Sequence, residues 1–385
     1  MRDRSFERRP ITIVFNEAAT FKDTYGGPVG LVALQGQWLR PDTASDTILI
    51  SMHPIGGTAG LPVIRQFAQA GVHVLACDSR YRGADYALIM EKVAVDLGAA
   101  VRFARDTLGY ARVVLLGWSG GGALSAFYQA QAEAPTVTAT PAGDGPDLTR
   151  AELLPADAVV LMAAHVSRHR TLTEWLDASI ADEADPDCRN ANLDIYNTAN
   201  GPPFTDDFVE RYRAAQIERN RRITSWVREK LTSLQSQGRG DEEFAFVVHG
   251  TMADPRWLDP AVDPNDRRPG WCYLGDPRTV NMSPIGLARY SSLRSWLSQW
   301  SYDEAQGDGP GSLRRVSRPV LVINNSADDA CTPSHAARLF EAVQHTDKAF
   351  EQIAGASHYY LGQPELSAQA VSVVRRWLQA HDFGV

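Results

Sequence analysis

The sequence has few cysteines, and their positions argue against two kinds of site. Only four occur in 385 residues. Cys77, Cys188, Cys272 and Cys331 lie far apart and lack the paired spacing of zinc ligands. A scaffold held by disulfides needs a denser set of cysteines in a shorter chain. We therefore expect four free thiols, as in a cytoplasmic protein, and no bound metal or other cofactor.

The sequence also lacks an excess of positive charge and any long apolar run. Its formal net charge is −8, which argues against nucleic acid and anionic membrane surfaces as partners. No stretch approaches the 18 uninterrupted apolar residues that suggest a transmembrane helix, and the charged start, "MRDRSFERRP", is not followed by the apolar core of a signal peptide. These absences predict a cytoplasmic protein with a small-molecule partner. They leave open whether it forms a homo-oligomer.

What the sequence does contain is an alternation of strand and helix patterns. Short, nearly continuous apolar runs alternate with segments in which apolar residues recur three and four apart, a combination that predicts a parallel sheet covered by helices on both faces. Two leading antiparallel strands are predicted at 11–21 and 30–41. The following strands are predicted at 47–54, 72–79, 112–118 and 157–165, and the helices between them at 61–71, 86–109 and 121–133.

The alternation stops after the sixth of these strands and returns only near residue 318. The sheet pattern then resumes with strands at 319–325 and 348–355, each followed by a helix. We interpret 1–165 and 313–385 as the core domain, and 166–312 as a large, mainly helical cap inserted into it. Its longest helix, predicted at 205–238, begins with a capping threonine. This helix has an apolar face formed by Phe208, Tyr212, Ile223, Trp226, Val227, Leu231 and Leu234.

A glycine-flanked serine lies between one predicted strand and the next helix. Gly117-Trp118-Ser119-Gly120-Gly121 fits the pattern G-x-S-x-G, in which a sharp turn presents the serine hydroxyl at the carboxyl edge of the sheet. The glycines are needed because the turn brings backbone atoms too close for a Cβ. The alternative, a phosphate-binding loop, lacks the lysine that such a loop requires. The pattern therefore predicts Ser119 as a nucleophile.

A serine nucleophile needs a base and an acid, and later loops supply both. A serine hydroxyl at neutral pH becomes reactive when a histidine takes its proton and a carboxylate orients that histidine. His358 lies in the loop after the last predicted strand. Asp328 and Asp329 follow the strand before it, and Asp328 is favoured because it is nearer the strand end. The order serine, aspartate, histidine is the one that this type of sheet requires.

The loop after the third strand, His53-Pro54-Ile55-Gly56-Gly57, is the candidate second half of an oxyanion site. Gly120, directly after the nucleophile, would supply one N–H group. Pro54 has no N–H to donate, so Ile55 is predicted as the second donor, with Gly56 as the next choice. His53 is expected to orient the loop rather than to transfer protons.

A few other residues are candidates for the substrate pocket. His165 ends the strand beside the nucleophile strand, and Trp118 precedes Ser119, so both are candidate pocket residues together with His53 and Gly56. His165 and His169 have the spacing of a helical metal pair, but no third ligand is evident. We therefore predict no metal there.

These motifs resemble the α/β-hydrolase superfamily. "GWSGG" is similar to its nucleophile turn, "HPIGG" to its oxyanion loop, "NSADD" to its acid turn and "GASHYY" to its histidine loop. Pro54 departs from the pattern, since glycine is usual there. The resemblance implies an α/β-hydrolase fold and hydrolysis of an ester, lactone or related bond through an acyl-serine.

The cap aromatics and the absence of a charged motif favour an apolar, cyclic or bulky ester or lactone as substrate. Three alternatives remain open at this point. The same catalytic groups can cleave a C–C bond in a ring-cleavage diketone or transfer an acyl group to another acceptor, and the fold can also serve as a non-catalytic ligand-binding protein.

Overall fold

The computed structural model describes residues 5–19, 21–22, 24–25 and 27–384. Met1–Arg4, part of the charged start, and Thr20, in the first predicted strand, lie outside the described residues. Within the described part, no helix has both the length and the apolar character needed to cross a membrane, and all four cysteines are free thiols.

An eight-stranded sheet forms the centre of the molecule. Its strands lie in the order β1-β2-β4-β3-β5-β6-β9-β10. The pairs β1/β2 and β2/β4 are antiparallel and the others are parallel, as the patterns predict. The strands are β1 (Phe6–Asn16), β2 (Leu31–Pro41), β3 (Thr47–Ser51), β4 (His73–Cys77), β5 (Arg112–Ser119), β6 (Ala158–Ala164), β9 (Val320–Asn325) and β10 (Lys348–Ile353).

Helices cover both faces of this sheet. One face packs against α1 (Pro62–Gln69) and α11 (Pro364–Ala380). The other packs against α2 (Met90–Arg102), α3 (Gly120–Glu133) and α10 (Pro333–Ala342). The helix predicted at 86–109 is interrupted. Residues 85–87 form a 3₁₀ turn, and α2 continues into a π-helical turn at Phe103–Thr107.

The segment between β6 and β9 contains one long helix and several short ones, and its role as a mainly helical cap stays a prediction. Its helices are α4 (Arg168–Trp175), α5 (Asp206–Ser236), α6 (Pro255–Leu258), α7 (Pro277–Asn281), α8 (Leu293–Ser295) and α9 (Gly309–Leu313). A small antiparallel pair, β7 (Ala245–Val247) and β8 (Tyr290–Ser292), accompanies them. We call this segment the insert. The cap boundaries at 166 and 312 stay a prediction.

The long helix α5 follows its predicted pattern with one exception. The Thr205 side chain accepts a hydrogen bond from the Phe208 N–H at the helix start, as predicted. Six of the seven residues expected on the apolar face are buried. Trp226 is the exception, with 41% of its surface exposed, because it lies at the edge of that face. Its ring packs edge-on against Phe246 instead, with the centroids 5.0 Å apart.

Candidate active site

Ser119 lies on a sharp turn between β5 and α3. Its φ of 53° and ψ of −126° form a strained backbone geometry that non-glycine residues rarely adopt. A Cβ at Gly117 would lie 2.7 Å from the Gly121 carbonyl oxygen, and a Cβ at Gly121 would lie 2.5 Å from the Met52 carbonyl oxygen. Both glycines are therefore required by close backbone approach, as the motif predicts.

The structure brings Ser119, His358 and Asp328 together. His358 Nε2 lies 3.1 Å from Ser119 Oγ, and His358 Nδ1 lies 2.8 Å and 3.0 Å from the two Asp328 carboxylate oxygens. All three side chains are buried. Asp328, rather than Asp329, contacts the histidine. Burial and the neighbouring Asp328 charge raise the pKa of Asp329 to about 6.

The turn that carries Asp328 is held by its own backbone and by the insert. The N–H groups of Ala330 and Cys331 donate to Asp328 Oδ1 at 2.8 Å and 2.7 Å, which leaves Oδ2 at the shorter distance to His358. From the insert, Asn265 Nδ2 donates to the Asp328 carbonyl at 2.8 Å, and Trp257 Nε1 donates to the Asp329 carbonyl at 2.7 Å. The insert thus braces the acid turn.

The oxyanion loop is arranged around His53, as expected, but in a way that sequence reasoning did not foresee. The N–H groups of Ile55 and Gly56 donate to His53 Nδ1 at 3.2 Å and 2.9 Å. The N–H of Ile55, predicted as the second oxyanion donor, is directed at the imidazole in this structure, so that role stays a prediction. His53 Nε2 instead faces Gly120 and would lie 2.8 Å from a Cβ at that glycine.

Burial keeps two histidines of the cavity, His53 and His165, neutral. Burial lowers the pKa of His53 to about 3, and the charges of Arg168 and a protonated His358 contribute to this shift. Burial also holds the pKa of His165 well below its usual value. Because Nδ1 of His53 accepts two N–H groups, the proton of the neutral ring lies on Nε2.

A cavity of about 310 Å³ opens onto Ser119. The four predicted pocket residues, His53, Gly56, Trp118 and His165, all line it, as do Ile55 and Gly120. The Trp118 ring packs against the His358 ring with centroids 4.7 Å apart, so this tryptophan also supports the histidine loop. His165 and His169 do not share a helix, because α4 begins only at Arg168.

Sequence reasoning missed several side chains of this cavity. The insert contributes Arg168, Thr171, Tyr273, Leu287 and Trp300. Arg168 follows "HVS" shortly after the end of β6, so its place in the sequence could have predicted a position near the carboxyl edge of the sheet. The others lie in segments without a clear periodicity, and nothing in their pattern distinguishes them from residues that pack inside the insert.

Cys331 is a further neighbour of the site, three residues after Asp328. One ligand atom from each of Asp328, Cys331 and His358 lies within 4.8 Å of the others, so these residues are the candidate metal ligands among the described residues. Asp328 and His358 already bond to each other, and burial raises the pKa of the Cys331 thiol well above its usual value. A protonated thiol is a poor nucleophile and a poor metal ligand.

Solved structures of other proteins share this architecture. The α/β hydrolase GrgF from Penicillium sp. sh18 is 13% identical, and the match covers 97% of each chain with a TM-score of 0.52. DcsB, in a complex with its substrate analogue, is 16% identical, and the match covers 98% of this chain and 99% of DcsB with a TM-score of 0.50. No family model and no curated protein matches the sequence. The similarity over nearly the whole length, together with the strand order, establishes that this chain has the α/β-hydrolase fold.

Proposed function

We propose that the protein is a serine hydrolase that cleaves a carboxylic ester or lactone through an acyl-serine intermediate. The observation that carries the proposal is the alignment of Ser119 Oγ, His358 Nε2 and the Asp328 carboxylate at hydrogen-bond distances. A histidine held between a hydroxyl and a buried carboxylate is the arrangement that activates serine for attack on a carbonyl.

In the first half-reaction His358 acts as the general base. As Ser119 Oγ attacks the substrate carbonyl carbon, its proton moves to His358 Nε2, and the carbonyl π electrons move onto the oxygen. The imidazolium is stabilised by Asp328, which accepts the hydrogen bond from Nδ1–H. When the oxyanion collapses, the bond to the alkoxy group breaks and His358 returns the proton to the departing alcohol.

Two donors are available to the oxyanion. The first is the Gly120 N–H at the start of α3, where the partial positive charge of the helix N-terminus adds to the stabilisation. The second is His53 Nε2–H, which lies close to Gly120 at the wall of the cavity. We assign this role to the side chain of His53 in place of the Ile55 backbone. His53 donates a hydrogen bond here and transfers no proton, in keeping with its low pKa.

In the second half-reaction water replaces the alcohol. His358 removes a proton from the water, the hydroxide attacks the acyl carbon, and collapse of the second oxyanion returns the proton to Ser119 Oγ and releases the acid. For a lactone the alcohol remains attached to the acid, so the product is a single hydroxy acid. The cavity volume of about 310 Å³ is at the lower end for ligand pockets, which favours a small or medium-sized acyl group.

Substitution of Ser119 tests the proposal directly. We expect Ser119→Ala to lower kcat for short aryl esters and lactones by at least about 10⁴-fold, because removal of the nucleophile leaves only residual stabilisation. A fluorophosphonate, which reacts only with an activated serine, should label the wild-type protein and not Ser119→Ala. Ser225→Ala, at an exposed position on α5, is the matched control and should behave like wild type.

The same experiment separates the alternative activities. Unchanged ester and lactone hydrolysis by Ser119→Ala would overturn the proposal. If the wild-type protein neither hydrolyses these substrates nor reacts with the fluorophosphonate, a ligand-binding role replaces it. Faster turnover of a ring-cleavage diketone, or acyl transfer to an added alcohol that outruns hydrolysis, would replace ester hydrolysis with C–C cleavage or acyl transfer.

A further inference from the structure

Arg168 places a positive charge at the wall of the cavity that contains Ser119. It is the first residue of α4, in the insert, and only 7% of its surface is exposed. That exposed part lines the cavity together with Ser119 and His358. A charged side chain this deeply buried normally has an ionic partner.

The protein itself does not supply that partner. In the described part of the chain, Arg168 makes no ion pair, and its hydrogen bond is from Nε to Gln299 Oε1 at 2.7 Å. Its Nη2 atom is buried without a hydrogen-bond partner. Asp85 acts on the guanidinium only through space, and burial lowers the pKa of Arg168 to about 10. The group nevertheless stays charged near neutral pH.

The guanidinium is held firmly in this unpaired position. Its central carbon lies 4.2 Å from the centroid of the Trp300 ring, a cation–π contact. Gln299 is oriented in turn by its own amide, which donates to the Asp85 carbonyl at 2.6 Å and to Ser295 Oγ at 2.7 Å. The Gln299 carbonyl oxygen therefore remains directed at Arg168. Such support is typical of a preorganised binding group.

Further unsatisfied donors belong to residues that line the same cavity. Among the described residues, the Thr171 hydroxyl, three residues after Arg168 on α4, has no hydrogen-bond partner, and neither has Trp300 Nε1. Buried polar groups are usually hydrogen-bonded, so three unpaired donors on residues that line one cavity are unusual. A guanidinium with neutral donors on neighbouring residues suits an anionic group with several acceptor oxygens.

We propose that Arg168 binds a carboxylate group of the substrate, so that this site acts on esters or lactones that also carry a free acid. The inference rests on the hydrolase activity proposed above and names its substrate class. It changes the expectation of an apolar substrate, because the remaining wall, including Leu61, Leu287 and Tyr273, would contact only the hydrocarbon part. The product of an acidic ester would be a dicarboxylic acid and an alcohol.

Paired substrates test this directly. Wild-type protein should hydrolyse the mono-aryl ester of a C5 or C6 dicarboxylic acid at least 10-fold more efficiently, as kcat/KM, than the same ester with its free acid masked as a methyl ester. Arg168→Met should lower kcat/KM for the acidic ester by about 10- to 100-fold, mainly through KM, because a charge-assisted hydrogen bond is lost. The same substitution should change kcat/KM for the masked ester by less than about 3-fold.

The controls keep the test valid if the first variant is unstable. Arg170 lies on the same helix, but it pairs with Asp308 at 3.1 Å and does not line the cavity. The Arg170→Met variant should therefore hydrolyse both esters as wild type does. Arg168→Lys keeps the charge without the planar fork and should show a smaller loss than Arg168→Met. An equal effect of Arg168→Met on both esters, or no preference by wild type, would overturn the proposal.

A binding measurement separates this inference from the proposed activity. Glutarate titrated into Ser119→Ala should bind, and should bind at least 10-fold more weakly to Ser119→Ala/Arg168→Met, whether or not the wild-type protein hydrolyses any ester. Binding of glutarate with no hydrolysis by wild type would leave Arg168 as a carboxylate site and remove the hydrolase proposal. Equal binding by both variants would remove the Arg168 assignment alone.

Discussion

His53 is fixed in one tautomer by the two backbone N–H groups that donate to its Nδ1. Burial lowers its pKa to about 3, so the ring remains a neutral donor at Nε2 over the whole pH range of a normal assay. No pattern of residue types encodes this role. The sequence indicates only that a histidine starts a glycine-rich loop, and the direction of each nitrogen depends on how that loop folds back.

Two substitutions of His53 separate its proposed role as an oxyanion donor from its role as the acceptor that holds the loop. Asn at position 53 can accept at the place of Nδ1 but is too short to reach Gly120, whereas Gln can place an N–H near the position of Nε2. We expect His53→Asn to lower kcat by about 10²- to 10³-fold with little change in KM, as for loss of an oxyanion donor. His53→Gln should retain more of the activity. Steady-state kinetics on one aryl ester give kcat and KM for both variants. An unchanged kcat in His53→Asn would contradict the assignment of His53 as an oxyanion donor.

At the scale of elements, the site depends on how closely α3 lies against the sheet. A Cβ at Gly122, in the first turn of α3, would lie 2.4 Å from the Ala164 Cβ at the end of β6. The glycine run after Ser119 therefore allows the turn and also lets the helix contact the neighbouring strand. This contact helps to fix the turn that carries Ser119.

Gly122→Ala should therefore destabilise the protein although alanine favours a helix. We expect the free energy of unfolding in urea to fall by about 1 to 3 kcal/mol, the usual cost of overpacking, together with slower fluorophosphonate labelling of Ser119. The double variant Gly122→Ala/Ala164→Gly lacks the facing Cβ, so it should recover part of the stability and part of the labelling rate. Gly60→Ala, where a Cβ meets open space, is the control. Wild-type stability in Gly122→Ala would show that α3 can shift without cost.

The core elements were predictable because each has a strong local signal. Strands β3, β5, β6 and β9 are short apolar runs, and the structure places each within two or three residues of its prediction. Periodicity could not reveal the π-helical turn after α2, because a turn of five residues leaves the spacing of apolar residues almost unchanged. The exposure of Trp226 depends on where β7 and β8 cover α5, and local periodicity does not predict that contact.

At the scale of the whole molecule, one buried acid joins the core to the insert. Glu91, on α2, accepts a hydrogen bond from Ser298 Oγ at 2.6 Å, and the same hydroxyl accepts one from the Met90 N–H at 2.8 Å. The other carboxylate oxygen of Glu91 has no hydrogen-bond partner in the part of the chain that the structure describes. Burial raises the pKa of Glu91 to about 7, so the folded protein holds a proton there that the unfolded chain loses near pH 4.5.

This proton makes stability fall as the pH rises. Between about pH 4.5 and 7 the folded state binds more protons than the unfolded state at this residue, so the free energy of unfolding decreases by about 3 kcal/mol over that range. The Glu91→Gln variant has no carboxyl to titrate at this position. Its free energy of unfolding, relative to that of wild type, should therefore rise by a similar amount between pH 5 and pH 8. Urea unfolding at the two pH values measures it. Glu210→Gln, at an exposed position on α5, should show no such gain, and a pH-independent difference for Glu91→Gln would contradict the prediction.

The arrangement of the insert was beyond sequence reasoning for a physical reason. Its contribution to the cavity includes Arg168 and Trp300, which are far apart in sequence and meet only because the insert folds onto the core. The order serine, aspartate, histidine is different, since parallel strands bring their carboxyl ends to one edge whatever lies between them. Topology therefore predicts that Ser119, Asp328 and His358 meet, while the position of the insert residues that line the cavity depends on tertiary packing.

The position of the insert also has a consequence for synthesis. Strand β6 consists of seven buried residues, Ala158–Ala164, and its outer neighbour β9 begins only at Val320. The ribosome must add the whole segment 165–319 before that neighbour exists, which takes about 10 to 30 s at ordinary elongation rates. During this time a β6 strand that has formed on β5 exposes an apolar, unpaired edge, which is a template for aggregation. The nascent chain thus passes through a vulnerable interval that the finished protein no longer shows.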